Sequence, residues 1–298
     1  MIKIKRNKLF SFRGFVLIIL GIFLFSGCGN NGNIQKKDGN KRLVAVSIVP
    51  QKTFVEAVCG DMVDVVVMVP PGNSPTNYEP IPKEMEQFSK AELYFAIGIP
   101  TESANIMTKA QGFDNMKIVK LQDEVAKVYP DREFAPGVRD PHIWLSPKRV
   151  QAMVDVIARE MSLLDADNKE TYEKNAKLYI LELERLGRQL QDNFSDIKIR
   201  KFIVFHPTFG YLADDYNLQM YTLEQNGKEA TAPQLKEMID FANEENIKVI
   251  FYQAEIYSKQ AQSFAEEIGG KMMKLDPLAP DYINNLKSMS EMMIEVMK

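Results

Sequence analysis

The stretch Leu43-Val44-Ala45-Val46-Ser47-Ile48-Val49-Pro50 is almost entirely apolar and has the length of a β-strand. A continuous apolar run of this length is typical of a strand that is buried on both faces, as in a parallel sheet. The run therefore predicts a parallel α/β sheet rather than a half-exposed antiparallel one.

The segments that follow this run alternate between helix and strand. We predict a helix from Gln51 to Cys59, a strand from Val63 to Val69, a helix from Pro82 to Lys90 and a strand from Leu93 to Gly98. Such alternation indicates an α/β lobe. Ligands of open α/β sheets bind at the carboxyl ends of the strands, so the Pro/Gly-rich loop after the second strand lies at a candidate binding edge.

A long helix divides the chain. From Lys169 to about Asn193 only Gly187 weakens the helical pattern, and a helix of this length reaches roughly 38 Å at 1.5 Å per residue. Strands and helices alternate again after it, with predicted strands at 202–205 and 248–252 and a short run that ends at Leu275. We therefore expect an α/β fold of two lobes with parallel sheets flanked by helices, joined by one long backbone helix, with a ligand cleft between the lobes. The expected divisions are an N-terminal lobe at 42–165, a linker helix at 166–195 and a C-terminal lobe at 196–298.

The N-terminus carries the pattern of an export signal. Basic residues precede an apolar run from Phe15 to Phe25, which is shorter than the roughly 20 residues that a spanning helix needs. Phe25-Ser26-Gly27-Cys28 resembles the bacterial lipobox. We predict a lipoprotein signal peptide at 1–27, lipid attachment at Cys28 and a flexible tether at 28–41, with a plain secretory signal as the alternative. The protein is then expected on the extracytoplasmic face of the cell membrane.

Composition narrows the class of protein. The formal net charge is -3, which gives no electrostatic argument for binding nucleic acid. Cys59 is the single cysteine after Cys28, so no intrachain disulfide can form within the body. The hydrophobic content of 45% is sufficient for a buried core, and we expect a monomer.

Three side chains at predicted strand or loop ends suit a metal ion. The two histidines of the chain, His142 and His206, fall in different lobes, and Asp276 follows the last predicted strand. Each has an ordinary alternative, since histidine also packs in cores and Asp before Pro also forms turns. Two imidazoles and a carboxylate that face one cleft would suit Zn²⁺ or Mn²⁺.

Four motifs in order identify a family. The sequence resembles the metal-specific solute-binding proteins of ABC transporters, which bind zinc or manganese. The motifs are Val69-Pro70-Pro71-Gly72 followed by Tyr78-Glu79-Pro80, Asp140-Pro141-His142-Ile143-Trp144-Leu145, Phe205-His206-Pro207-Thr208-Phe209-Gly210-Tyr211, and Leu275-Asp276-Pro277-Leu278.

The resemblance implies that four side chains hold a metal between the two lobes. The second, third and fourth ligand positions of the family fall on His142, His206 and Asp276. A histidine at the third position favours zinc over manganese. The resemblance also implies delivery of the metal to an ABC permease in the membrane.

The first ligand position departs from the family pattern. Where the family has Pro-His-x-Tyr-Glu-Pro, this chain has Thr76 in place of the histidine. The site then has three protein ligands plus water, or it recruits Asn77 or Glu79. The same departure leaves open an alternative function, in which the cleft takes a small organic solute or a metal complex.

An enzyme is the less favoured class. Two histidines and a carboxylate also occur in metal hydrolases and non-haem iron proteins, but the chain has no His-Glu-x-x-His motif and no recognisable general base beside either histidine. We therefore expect no enzymatic activity. Some members of the family double as surface adhesins, and the sequence leaves that role open.

Overall fold

The structure is a computed structural model, and it describes residues 41–224, 227–256 and 258–298. The predicted signal peptide, Cys28 and the predicted tether up to residue 40 lie outside the described residues. In the described part of the chain, every helix is too short or too polar to cross a membrane.

The first half of the body contains a four-stranded parallel sheet. Its strands are β1 Arg42–Val46, β2 Val63–Val67, β3 Leu93–Ala96 and β4 Lys117–Lys120. They lie in the order β2-β1-β3-β4, so β1 and β3 are central while β2 and β4 form the edges. The parallel sheet that the first apolar run predicted is confirmed.

The apolar run is nevertheless not a strand over its whole length. Strand β1 ends at Val46, and helix α1 begins at Val49 and continues to Cys59. Proline is tolerated in the first turn of a helix because its missing N–H would have no partner there. The side chain of Gln51 completes the change of direction, because its Oε1 accepts hydrogen bonds from the backbone N–H groups of Ser47 and Ile48 at 3.0 and 3.1 Å.

Helices cover this sheet, and a short hairpin lies between two of them. The helices are α2 Pro82–Phe88, α3 Met107–Ala110, α4 Leu121–Ala126 and α5 Pro147–Leu164. A π-helical turn, Glu102–Ile106, leads into α3. Strands β5 Glu133–Ala135 and β6 Val138–Arg139 form an antiparallel hairpin between α4 and α5.

The second half of the body repeats the architecture. Its parallel strands are β7 Lys201–Val204, β8 Gln219–Thr222, β9 Val249–Gln253 and β10 Lys271–Leu275. Their order is β10-β9-β7-β8. Read from the other edge as β8-β7-β9-β10, it corresponds to the order β2-β1-β3-β4 of the first sheet. The helices are α7 Gly210–Asp215, α8 Ala232–Glu244, α9 Lys259–Glu267 and α10 Tyr282–Met297.

The predicted long helix is present as α6, Lys169–Ser195, with 27 residues. One face of it is buried, and the buried residues recur every three or four positions, which is the period of a helix that packs on one side. They are Tyr172, Ala176, Tyr179, Leu183, Leu186, Leu190 and Phe194. This face packs against α1, α5 and α10, so α6 contacts helices from both halves of the chain.

One hydrophobic core runs through both halves. Phe54 and Trp144 from the first half, Leu183 from α6, and Phe251 and Met293 from the second half belong to the same buried cluster. The body is accordingly one compact unit. The fold of two α/β lobes joined by a long helix is confirmed, whereas the domain limits at residues 165 and 195 stay a prediction.

Hydrogen bonds also connect the two halves. The indole Nε1 of Trp144 donates to the carbonyl of Pro277 at 2.9 Å, and the hydroxyl of Tyr282 donates to the carbonyl of Trp144 at 2.8 Å. All three lie in the buried interior. Because a buried polar group that loses its partner is costly, these bonds fix Trp144 between the lobes.

Candidate metal centre

The two histidines lie side by side, as one cleft requires. His142 stands before a 3₁₀ turn, Ile143–Leu145, and His206 follows the carboxyl end of β7. Their ring centroids are 5.3 Å apart and the rings are nearly perpendicular. Both side chains line a cavity of about 720 Å³. The structure therefore brings together, from opposite halves of the chain, the two imidazoles that the sequence singled out.

Each imidazole is hydrogen-bonded to a carboxylate through Nδ1. The Nδ1 atom of His142 lies 2.7 Å from Oδ1 of Asp140, and Nδ1 of His206 lies 2.9 Å from Oε2 of Glu224. A carboxylate can only accept, so each Nδ1 donates and the lone pair is on Nε2. Imidazoles that bind metals have this arrangement, in which the carboxylate fixes the ring and raises the basicity of the ligating nitrogen.

Asp140 is held in place on several sides. Its carboxylate is fully buried, and Oδ1 also accepts the backbone N–H of His142 at 2.9 Å. Nη1 of Arg132 lies 3.7 Å from Oδ2. Arg132 in turn extends to Asp214 of the second lobe, with 3.3 Å between Nε and Oδ2. The partner of His142 is thus part of an ion-pair chain that crosses between the lobes.

Glu224 was not identified from the sequence. It lies just after β8, is 8% exposed, and its backbone N–H donates to the carbonyl of Phe205 at 2.9 Å. Because β8 pairs directly with β7, the residues that follow the two strands are neighbours. Strand β8 was missing from the predicted elements. The stretch Leu218–Leu223 before it contains the polar residues Gln219 and Thr222, so the sequence gives only a weak strand signal ahead of this Glu.

The electrostatic environment keeps His142 neutral. Burial lowers the pKa of the His142 imidazole, because the interior disfavours the charged form, and the Asp140 carboxylate opposes this effect only in part. A metal binds the neutral imidazole, so a lowered pKa favours the binding form at neutral pH.

Asp276 lies in a neighbouring cavity. It lines a smaller space of about 90 Å³ together with Glu255, and its Oδ1 accepts the backbone N–H of Leu278 at 3.2 Å. Burial, and then the charge of Asp276, raise the pKa of Glu255. Leu278 forms part of the wall of both cavities.

The position of Asp276 follows from strand order. Strand β9 separates β10 from β7, so the residue after β10 starts two strands, or about 10 Å, away from the residue after β7. Among the described residues, no three His, Cys, Asp or Glu side chains converge as a complete metal site.

The loop that replaces the first family ligand contributes one residue to the cavity. Thr76 lines the larger cavity, and its backbone N–H donates to the Ser74 hydroxyl at 3.3 Å. Asn77 and Glu79 are exposed and are not among the described residues that line it. Of the three residues considered for this position, Thr76 is the one that lines the cavity of the histidines.

A buried carboxylate shapes another wall of the cavity. Glu102 is 2% exposed and accepts the backbone N–H groups of Ile97 and Gly98 at 2.8 and 2.9 Å, as well as the hydroxyl of Ser47. Gly98 and Ile99 line the cavity. Burial raises the pKa of Glu102, although these hydrogen bonds oppose the shift.

Two α/β lobes joined by a long helix, with paired histidines in the cavity, define the class of metal-specific solute-binding proteins. The family model described as zinc-uptake complex component A, periplasmic, matches residues 44–296, and the chain belongs to this family.

Individual relatives agree with this placement. The high-affinity zinc uptake system protein ZnuA of Bacillus subtilis (strain 168) is 29% identical over an alignment of 282 residues, and the match covers 89% of this chain and 88% of the relative.

Solved structures give the same result. A zinc-bound deletion mutant of ZnuA is 38% identical, with a TM-score of 0.81, and the match covers 87% of this chain and 99% of that one. The laminin-binding protein Lmb of Streptococcus agalactiae, described as bifunctional with adhesin and metal-transporting activity, is 25% identical, with a TM-score of 0.76 and coverage of 87% and 100%.

Proposed function

We propose that this protein captures a divalent transition metal, zinc ahead of manganese, outside the cytoplasm and delivers it to the membrane permease of an ABC importer. The observation that carries the proposal is the pair of imidazoles at His142 and His206, each hydrogen-bonded through Nδ1 to a buried carboxylate. Two neutral nitrogen donors in one cavity suit zinc better than a harder, oxygen-preferring cation.

In this proposal His142 and His206 are metal ligands through Nε2, and Asp276 is the third. To reach the metal, the carboxylate of Asp276 leaves the backbone N–H of Leu278 and turns toward the larger cavity. The two cavities adjoin, because Leu278 lines both of them. Thr76 lines the same cavity without supplying a strong ligand.

We further propose that the protein acts at the outer face of the membrane as a lipid-anchored monomer, attached through Cys28. The support is the lipobox-like stretch Phe25–Cys28. The proposed role is transport, with no chemical step catalysed at the metal. Relatives are named as transport components, which supports the same interpretation.

Calorimetric titration of the full chain in detergent with Zn²⁺ and with Mn²⁺ tests the proposal. We expect zinc to bind with a stoichiometry of one and more tightly than manganese. His142→Ala and His206→Ala should each abolish tight binding, while circular dichroism shows the fold retained. Absence of binding by either metal would overturn the proposal.

Asp276→Asn tests the third ligand separately. If Asp276 coordinates the metal, removal of its charge weakens zinc binding while the two histidines still hold the ion. An affinity equal to that of the unsubstituted protein would show that Asp276 is not a ligand.

A further inference from the structure

The cavity is much larger than a metal ion requires. At about 720 Å³ it has the volume of roughly 24 water molecules, at about 30 Å³ each, and falls in the range of small-molecule sites. A zinc ion with its ligand atoms occupies a small part of this space. The remaining volume is open to another molecule beside the metal.

Coordination by the protein is also incomplete. His142 and His206 supply two nitrogen ligands, and Asp276, if it turns toward them, supplies a third. Zinc takes four ligands, so at least one position is left for a group from outside the chain. Thr76 stands at the cavity wall where it cannot fill this position well, because a neutral hydroxyl is a weak donor to zinc.

The cavity walls have a mixed chemical character. Several apolar side chains line it, namely Ile99, Phe134, Val138, Trp144 and Leu278. Phe134 and Val138 come from the β5-β6 hairpin and are 42% and 52% exposed, so the hairpin presents apolar surface at this site. Ser103, Thr222 and Gln253 add polar groups, and Arg139 and Glu224 add one positive and one negative charge.

We infer that the cavity binds the metal together with a small amino acid chelator that has an apolar side chain, an inference that rests on the proposed function. When the chelator binds, Asp276 keeps its hydrogen bond to the backbone of Leu278, so His142 and His206 leave two of the four zinc positions open. The amino and carboxylate groups of the chelator fill these two positions and displace water. The amino group releases one proton as it binds. The side chain of the chelator packs against Ile99, Phe134 and Val138.

The chemistry of the site favours such a ligand. An anionic carboxylate on the metal offsets its positive charge, which two neutral imidazoles leave unchanged. The apolar walls then distinguish between chelators with the same donor atoms. Burial of a leucine-sized side chain corresponds to about tenfold in affinity or more relative to glycine.

Native mass spectrometry of the full chain in detergent tests the inference, with Zn²⁺ and either L-leucine or glycine at equal concentrations. We expect a species of protein plus one zinc plus one leucine, and about tenfold less of the glycine species. N-acetyl-L-leucine, which cannot chelate through its nitrogen, is the control and should give no ternary species.

Two variants sharpen the experiment. Thr76→His adds a protein ligand at the open position, so zinc should bind more tightly and the leucine species should disappear. Val138→Ser reduces the apolar wall, so the preference for leucine over glycine should fall. Val128→Ser is the matched control, because Val128 is 64% exposed and is not among the described residues that line the cavity.

The outcomes separate this inference from the proposed function. Zinc that binds alone, with no ternary species, overturns the chelator and leaves metal capture standing. Equal amounts of the leucine and glycine species also overturn the inference, because the apolar walls would then select nothing. A protein that binds no zinc under any of these conditions overturns the proposed function itself.

Discussion

The guanidinium group of Arg132 occupies the space beside Gly210 in which a β-carbon would stand. From there Arg132 makes an ion pair with Asp214, 3.3 Å away, and lies 3.7 Å from Asp140, the partner of His142. Gly210 belongs to the second lobe and Arg132 to the first. Because residue 210 has no side chain, Arg132 of the first lobe can lie beside Asp140, the carboxylate that is hydrogen-bonded to the candidate metal ligand His142.

We predict that Gly210→Ala destabilises the protein by about 1 kcal/mol, because the added methyl group overlaps the guanidinium and Arg132 gives up its ion pair with Asp214 as it moves away. Zinc affinity should fall as well, since Asp140 loses a contact that holds its carboxylate in place behind His142. Urea unfolding and calorimetric titration measure the two effects.

Gly187→Ala is the matched control. Gly187 lies within α6, and the nearest atom to its added methyl group would be the hydroxyl of Tyr216 at 4.0 Å. Alanine favours a helix over glycine by roughly 0.5–1 kcal/mol, so this variant should be more stable than the original protein. Similar losses of stability in both variants would contradict the role assigned to Arg132.

A second prediction concerns Glu224. Replacement by Gln should weaken zinc binding about tenfold, the lower end of the effect of removing a carboxylate behind a ligating histidine, since the amide oxygen can still accept from His206. Calorimetric titration gives the affinity. Glu79→Gln should leave it unchanged, because Glu79 is exposed. Equal effects of the two substitutions would refute the prediction.

A third prediction concerns Asp215, which binds three groups of the first lobe. Its carboxylate accepts from the Ser146 hydroxyl at 2.6 Å and makes ion pairs with Lys148 and Arg149 at 2.6 and 3.1 Å. Arg149 is buried, so loss of the charge on Asp215 leaves a poorly compensated cation inside the protein.

Asp215→Asn should accordingly reduce the free energy of unfolding by on the order of 3 kcal/mol. Denaturant unfolding is the measurement. Asp240→Asn is the control, because Asp240 pairs with Lys236 on the exposed surface of α8 and should contribute little. A mild effect at residue 215 would show that the lobes are held together by other contacts.

A fourth prediction concerns pH and Glu102. A carboxyl group whose pKa is higher in the folded than in the unfolded protein binds its proton more tightly when folded. Its contribution to stability is therefore fully present below the unfolded-state pKa and is lost as the pH rises through the folded-state pKa. Glu102→Gln removes this titration while it keeps the size of the side chain.

The free energy of unfolding of the original protein minus that of Glu102→Gln should hence be more positive at about pH 4 than at about pH 8. Urea midpoints at the two pH values give this difference, and the other titrating groups cancel because both proteins contain them. A difference that stays constant, or that grows toward high pH, would mean that the pKa of Glu102 is not raised.

The central strands were predictable from the sequence, whereas two of the four edge strands were not. Strands β1, β3, β7 and β9 are buried on both sides and appear as apolar runs. Strands β4 and β8 lie at sheet edges and contain only one or no buried residue. Their four-residue sequences, Lys-Ile-Val-Lys and Gln-Met-Tyr-Thr, resemble loops because solvent covers part of each strand. The β5-β6 hairpin was missed for the same reason.

The candidate site shows the same division between what the sequence reveals and what it does not. His142 and His206 stand out because the chain has only two histidines, and the structure brings them together. Glu224 follows an edge strand that the sequence did not reveal. Its pairing with His206 depends on β8 lying beside β7, which is a property of the sheet and not of either segment alone.

The common core has a thermodynamic consequence for the whole molecule. Residues of both lobes and of α6 share the main buried cluster, so neither lobe can expose its part of that cluster without exposing part of the other lobe, while two smaller clusters each lie within one lobe. We therefore expect the shared cluster to unfold in one cooperative transition, and a ligand that binds only the native state to raise the melting temperature of both lobes together. A metal ion bound by a few side chains in one cavity in this way also stabilises helices far from that cavity.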